Sequence, residues 1–286
     1  MSTEANPRIW GALSPRLRSA PGRVPGYVPF ADENGCGLLA EKLQAGRGFM
    51  LPEFLAPAAA PDARVCKKGR HIRAVCAGGY FFKEYLQDGF WRNLRYAFRS
   101  GRPPAVLRCA EFLRALRVAT PEVVLAYSAD RRWRHSSDWL VTRELPPDTL
   151  YADHVPPADY PVFVGEIVSL LAELHAAGFE HGDLNLRNIY RAGAAPGRNW
   201  GFIDLDGARI GARALSPMRR CREIARIASS AARARGINRD DGDAQNILQQ
   251  FADGYSRESG LTLPSRVLRA YHREMLSHTH NRPKNV

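Results

Sequence analysis

Two short runs in the C-terminal half carry the residues whose types and spacing could do chemistry. The first is His181-Gly182-Asp183-Leu184-Asn185-Leu186-Arg187-Asn188-Ile189, and the second is Phe202-Ile203-Asp204-Leu205-Asp206-Gly207. Asp183 stands five residues before Asn188, and Asp204 follows a short apolar pair. Carboxylate and amide oxygens suit a hard cation such as magnesium, which keeps several waters and shares the rest of its shell with substrate phosphates. A carboxylate left off the metal can take the proton of an attacking hydroxyl if it lies within hydrogen-bond reach. One base and two metal ligands are what transfer of a γ-phosphoryl group asks of a protein, because positioning and charge neutralisation do most of that work. In that chemistry Asp183 fits the base, with Asn188 and Asp204 as magnesium ligands. A turn with incidental acids would explain Asp and Asn singly, but not their order and offsets together.

The elements that must position these runs are legible in outline. A helix is expected from Pro161 to Ala177, with Val164, Ile167, Leu171 and Leu174 as its buried stripe and Gly178 as its left-handed stop. His175 reads as a packing residue near its end. Residues 189–191 and 200–203 should pair as a hairpin with its tip at 193–198, followed by helices near 217–235, 242–255 and 264–278. Upstream, a small helix is expected near Gly37–Gln44, then strands at 64–67, 71–75 and 80–85, the last two joined through Gly78-Gly79. Lys83, in Phe81-Phe82-Lys83-Glu84-Tyr85, sits where a protein kinase places the strand lysine that binds the α/β-phosphates. A helix follows at 104–118, and Glu111 is its only acid, hence the expected partner of Lys83. Pairing of Glu111 with Arg108 or Arg114 on a surface is the plainer alternative. Trp139–Leu145 reads as the strand leading to a hinge.

Composition bounds the class. With 286 residues, 45% hydrophobic and 24% charged, the chain can build one large domain or two lobes. The net charge of +12 is unevenly spread: residues 64–134 hold 16 Lys/Arg against 5 Asp/Glu, while residues 136–210 hold 5 against 11. The acidic stretch suits magnesium, and the basic one suits an anionic nucleotide or acceptor. Five cysteines without a C-x-x-C pair argue against a disulfide framework or a zinc site and favour a reducing compartment. No apolar leader is visible, and the apolar run 161–179 is broken by Glu166 and Glu173, so a cytoplasmic protein is expected. No nucleic-acid recognition motif accompanies the basic charge.

The loop His181-Gly182-Asp183-Leu184-Asn185 with Asn188, and the run Ile203-Asp204-Leu205-Asp206, resemble the bacterial lipopolysaccharide kinase family, which phosphorylates Kdo or heptose in the inner core. The resemblance spans roughly residues 64–230. It implies an α+β, protein-kinase-like two-lobe fold, with a small, mainly β N-lobe and a larger helical C-lobe. On that plan residues 1–30 are a flexible basic arm, 31–143 the nucleotide-binding lobe with a basic helical insert at 86–102, and 144–286 the lobe with the catalytic and metal loops. The site implied is catalytic Asp183, Lys83 and Glu111, with Lys83, Asn188 and Asp204 holding ATP and Asp204 and Asn188 holding Mg2+. The implied acceptor is a lipid-linked saccharide, met peripherally at the inner membrane surface. Departures exist: no Gly-x-Gly-x-x-Gly loop precedes Lys83, and Gly182 and Asn185 replace the Arg and Lys of protein kinases. Arg187 could supply that charge or simply face solvent. In the insert, Trp91, Leu94 and Phe98 oppose Arg92, Arg95 and Arg99, a pattern for a membrane surface, an acidic partner or plain core packing. An aminoglycoside-type phosphotransferase shares the His-Gly-Asp loop and is the competing enzyme class. A non-catalytic kinase-like binding protein is the third reading, and it would be expected to have lost Asp183, Asn188, Asp204 or Lys83.

Overall fold

The computed structural model describes residues 24–32, 35–44, 49–86, 102–129, 137–192, 199–237 and 240–277. The chain divides into two compact units, Met1–Phe112 with Pro121–Pro146, and Leu113–Thr120 with Pro147–Val286.

The first unit is built on a seven-stranded antiparallel sheet. Its strands are β1 (Tyr27–Asp32), β2 (Gly35–Ala40), β3 (Arg64–Lys68), β4 (Ile72–Ala77), β5 (Tyr80–Tyr85), β6 (Val123–Ala129) and β7 (Asp138–Arg143), in the order β1-β2-β6-β7-β5-β4-β3. Short helices α1 (Glu41–Gln44) and α2 (Leu51–Leu55) and the longer α3 (Arg102–Ala115) complete the described part. The β4–β5 hairpin closes on Gly78 and Gly79, both with positive φ, as a two-residue turn that matches strand twist requires. Apolar, β-branched β6 lies between β2 and β7 and is buried along nearly its whole length. Two findings differ from the expected layout. β1 begins inside the stretch read as a loose arm, with Val24 and Tyr27 buried. Residues 37–40, expected to start a helix, belong to β2, and of that expected helix only Glu41–Gln44 are helical. The basic insert lies outside the described residues apart from Leu86 and Arg102, as do residues 193–198.

The second unit is mainly helical: α4 (Tyr160–Ala176), α5 (Pro217–Ala234), α6 (Gly242–Ser259) and α7 (Ser265–Ser277). α4 starts with Pro161 in its first turn and buries Phe163, Val164, Ile167, Leu171 and Leu174. α4 packs on α6, and α5 packs on both α6 and α7. Two small ladders sit among the helices. β8 (Phe179–Glu180) pairs with β11 (Arg209–Ile210), and β9 (Ile189–Arg191) pairs with β10 (Trp200–Phe202). Glu166 on α4 accepts from the Trp200 indole at 2.7 Å and from the Asn199 amide, which fixes the β9–β10 hairpin to the helix. His175 is buried as expected of a packing residue, its Nδ1 2.9 Å from the Tyr255 hydroxyl, which Arg220 also contacts at 2.9 Å. No helix among the described residues is long and apolar enough to cross a membrane.

Candidate active site

β8 delivers the chain into the loop 181–188, and the β9–β10 hairpin returns it beside that loop. Two hydrogen bonds register the two runs: the Ile203 N–H donates to the Asn188 carbonyl at 3.0 Å, and His181 Nε2 meets the Ile203 carbonyl at 3.1 Å. His181 is buried, with its ring edge on Phe202, and burial pushes its pKa down to about 4. A neutral ring has one donor and one acceptor. Nε2–H therefore donates to Ile203, and Nδ1 accepts from the Asp183 N–H at 3.4 Å. The Asp183 carbonyl takes the side-chain amides of Asn188 at 2.9 Å and Asn185 at 3.1 Å. Asn185 in turn accepts from the Arg187 N–H at 3.1 Å and caps the turn Leu186–Asn188.

Helix α5 holds the same loop from beneath. Glu223, completely buried, accepts from the N–H of His181 at 2.9 Å and of Gly182 at 3.3 Å. Arg226 donates to the Gly182 carbonyl and lies 3.3 Å from the Glu223 carboxylate. Ser230, one turn on, accepts from the Leu186 N–H at 3.0 Å. Burial raises the Glu223 pKa to about 7, and Arg226 and the two N–H donors pull the other way. None of these three α5 residues was singled out from the sequence. The available signal was Glu223 itself, the only acid in an Arg- and Ala-rich helix, standing beside Ile224 on the buried stripe.

The structure brings Asp183, Asn188 and Asp204 together in the second unit. The Asp183 side chain is exposed while its peptide group is tied down on both sides. Asn188 spends its amide nitrogen on Asp183, which leaves its amide oxygen as the possible metal donor. Asp204 adopts a left-handed conformation, φ 55°, which is unusual for a non-glycine residue and recurs at functional sites. Both carboxylates, Asp183 and Asp204, act electrostatically on the His181 ring. Oxygen donors of this kind fit magnesium. Among the described residues no cluster of three His, Cys, Asp or Glu could hold a metal unaided, so such an ion would complete its shell with water and phosphate. Arg187 is mostly exposed and pairs with Asp153 at 3.2 Å.

Lys83 and Glu111 belong to the first unit. Lys83 is buried on β5, opposite Ala74 on β4 and Leu140 on β7, with its ammonium 5.7 Å from the Tyr85 ring centroid. Glu111, on α3, is 3.3 Å from the hydroxyl of Tyr27.

Comparison with known proteins places this arrangement. The lipopolysaccharide kinase (Kdo/WaaP) family matches residues 74–255. A comparison with curated proteins finds no match. Among solved structures, WaaP in complex with acyl carrier protein is similar, with a TM-score of 0.53 and 20% identity, covering 86% of this chain and 99% of that one. A glucosamine kinase (TM-score 0.48, 14% identity, 94% of each chain) also matches. So does the streptomycin-ATP-APH(2")-IIa complex (TM-score 0.48, 9% identity, 82% of this chain and 90% of that one). The WaaP likeness gives the chain a protein-kinase-like fold, mainly β in its N-terminal region and helical in its C-terminal region. Because the family match covers well over half of the sequence, the chain belongs to the lipopolysaccharide kinase (Kdo/WaaP) family.

Proposed function

We propose that this kinase transfers the γ-phosphoryl group of ATP to a hydroxyl of a Kdo or heptose sugar in the lipopolysaccharide inner core. Kinase activity on a core sugar follows from the family, and the choice of sugar is the finer part of the reading. The observation that carries it is the state of the Asp183 loop, whose backbone is bonded to His181, Asn185, Asn188, Glu223, Arg226 and Ser230 while the Asp183 carboxylate is exposed. A base held that way can take the acceptor proton without moving its own backbone. Asn188 and Asp204 are the proposed magnesium ligands. Magnesium, when bound, supplies charge neutralisation at the nucleotide phosphates. Lys83 is proposed to hold the α/β-phosphates with Glu111 as its partner, since an ammonium buried this deeply needs a counter-charge.

The proposed acceptor is lipid-linked, so the enzyme would work on the cytoplasmic side, peripheral to the inner membrane. Arg92, Arg95 and Arg99, outside the described residues, are proposed to attract the anionic glycolipid. WaaP was solved with acyl carrier protein, and such a carrier is a proposed partner here as well. The deciding experiment is mass analysis of lipid A–core from cells with and without the gene. A difference of about 80 Da, one phosphoryl group, is the expected result. No difference, together with phosphorylation of an aminoglycoside by the purified protein, would move the assignment to the drug-kinase class.

A further inference from the structure

Strand β3 is one edge of the seven-stranded sheet, and all five of its residues are exposed. Its pairing with β4 passes from Val65↔Val75 to Lys67↔Ala74, which leaves Cys66 as the extra residue of a β-bulge. Cys76 pairs with Arg64, two residues before Cys66, and the Cys66 sulfur lies 3.5 Å from the Arg64 carbonyl. The two sulfurs stand 3.2 Å apart. Cys66 is exposed and Cys76 is buried, so one member meets solvent and the other waits behind it. A disulfide, at about 2.05 Å, is a short closure from that contact.

We propose that Cys66 and Cys76 are a peroxide-oxidisable dithiol whose disulfide locks the β3–β4 hairpin and its Lys68-Gly69-Arg70 turn in one setting. The functional half rests on the reading of the first unit as the nucleotide-binding one. In the first step the Cys66 thiolate attacks a peroxide oxygen and the O–O bond breaks. Hydroxide leaves and is protonated to water, and Cys66 becomes a sulfenic acid. The Cys76 sulfur then attacks the Cys66 sulfur, the S–O bond breaks, and the departing hydroxide takes the Cys76 proton as a second water. Two thiols lose two electrons and the peroxide gains them. Burial, with Cys66 and Glu144 alongside, pushes the Cys76 thiol up to about 12, which makes it a poor first attacker and leaves the opening step to Cys66.

The bond would act close to the sites that matter. Gly69 N–H bonds the Ile72 carbonyl at 2.9 Å to close the turn, and Cys76 lies two residues along β4 from Ala74, the register partner of Lys83. A covalent rung beside the bulge removes the freedom of β3 to slide on β4, so a turn that has to settle over phosphates would lose its adaptability.

The test uses the full chain, reduced, treated with one equivalent of hydrogen peroxide, blocked at remaining thiols and digested for tandem mass spectrometry. The expected result is a cross-linked peptide joining Cys66 to Cys76, lighter by about 2 Da than the two thiol peptides. It should form equally in Cys36→Ser, which removes the other exposed thiol, and not in Cys66→Ser. The Kd for ATP should rise several-fold on oxidation, return with dithiothreitol, and stay constant in Cys66→Ser. Cys66 recovered as a sulfinic acid without the cross-link would overturn the dithiol. A cross-link with unchanged ATP affinity would overturn the locking of the turn. Failure of the reduced protein to bind ATP at all would overturn the nucleotide reading and the locking with it, while the cross-link is judged by mass alone.

Discussion

Asp183 offers an exposed carboxylate on a peptide group that is held from several sides, and substitution can separate those two properties. Asp183→Asn keeps the shape of the loop and removes the proposed base. It should lower phosphoryl transfer by roughly 10²–10⁴-fold in single-turnover assays while magnesium-ATP binding stays near wild type. Asp204→Asn should weaken that binding as well, because the lost charge would be a metal ligand. Wild-type transfer by the Asp183 variant would remove the loop from the mechanism. Glu223 calls for a different pair of substitutions, because it holds two backbone N–H groups of the loop and pairs with the Arg226 guanidinium. In Glu223→Gln one oxygen still accepts, but the amide nitrogen now faces an N–H donor of His181 or Gly182. The expected outcome is a fall in kcat with KM for ATP little changed. Glu223→Ala should in addition cost about 1–3 kcal/mol of stability through its two orphaned donors, read by urea unfolding. If both variants lose stability alone and keep kcat, Glu223 is a structural residue.

At the scale of the element, the loop 181–188 and the turn after Asp204 touch through two glycines. Gly182 has φ 79°, and a Cβ there would overlap the Gly207 carbonyl. A Cβ on Gly207 would sit 3.3 Å from the Gly182 carbonyl carbon, a contact that small shifts can relieve. Gly182→Ala should therefore lose both activity and stability, by about 1–2 kcal/mol from the left-handed conformation alone plus the cost of the overlap. Gly207→Ala should be mild, and comparing their thermal melts and turnover checks the ranking. This close approach explains why His-Gly-Asp was readable in the sequence: the glycine is demanded locally, and Asp, Asn and their offsets belong to one short loop. The hairpin at Gly78-Gly79 and the helix stop at Gly178, φ 86°, were readable for the same reason. Other parts were not. Glu223 matters because of backbone groups 41 and 42 residues away, a pairing no local pattern reveals. β1 and β2 were hidden because Pro29 discourages a strand reading and Leu38-Leu39-Ala40 runs straight into helical residues. An edge strand tolerates that proline, and β1 is an edge.

For the molecule as a whole, buried titratable groups give stability a pH dependence with opposing arms. His175 and His181 are held neutral by burial, near 3 and 4 against an ordinary value of 6.5. Below pH 6.5 the unfolded chain takes up protons that the folded chain refuses, so stability falls as pH drops from there toward 4. Glu223 works the other way. Between its ordinary 4.5 and about 7 the folded chain keeps a proton that the unfolded chain has released, so this contribution is lost as pH rises through that window. His175→Asn, which retains an acceptor for the Tyr255 hydroxyl, should flatten the acid arm by up to one proton, about 1.4 kcal/mol per pH unit. Melting at several pH values between 4.5 and 7.5 checks the slope, and an unaltered acid arm would mean that His175 does not contribute to it. The sheet order has its own consequence for where the protein can be cut. The family match begins at Ala74, inside β4, and leaves β1, β2 and β3 outside. A chain started there would strip β2 from β6, baring the backbone of a strand whose side chains are almost wholly buried, and would take away Leu38, Leu39 and Tyr27 from the interior. Such a fragment presents an apolar, unpaired strand edge to its neighbours and should self-associate on expression. A piece that keeps the described sheet whole therefore starts no later than Val24, some fifty residues before the portion by which its family is recognised.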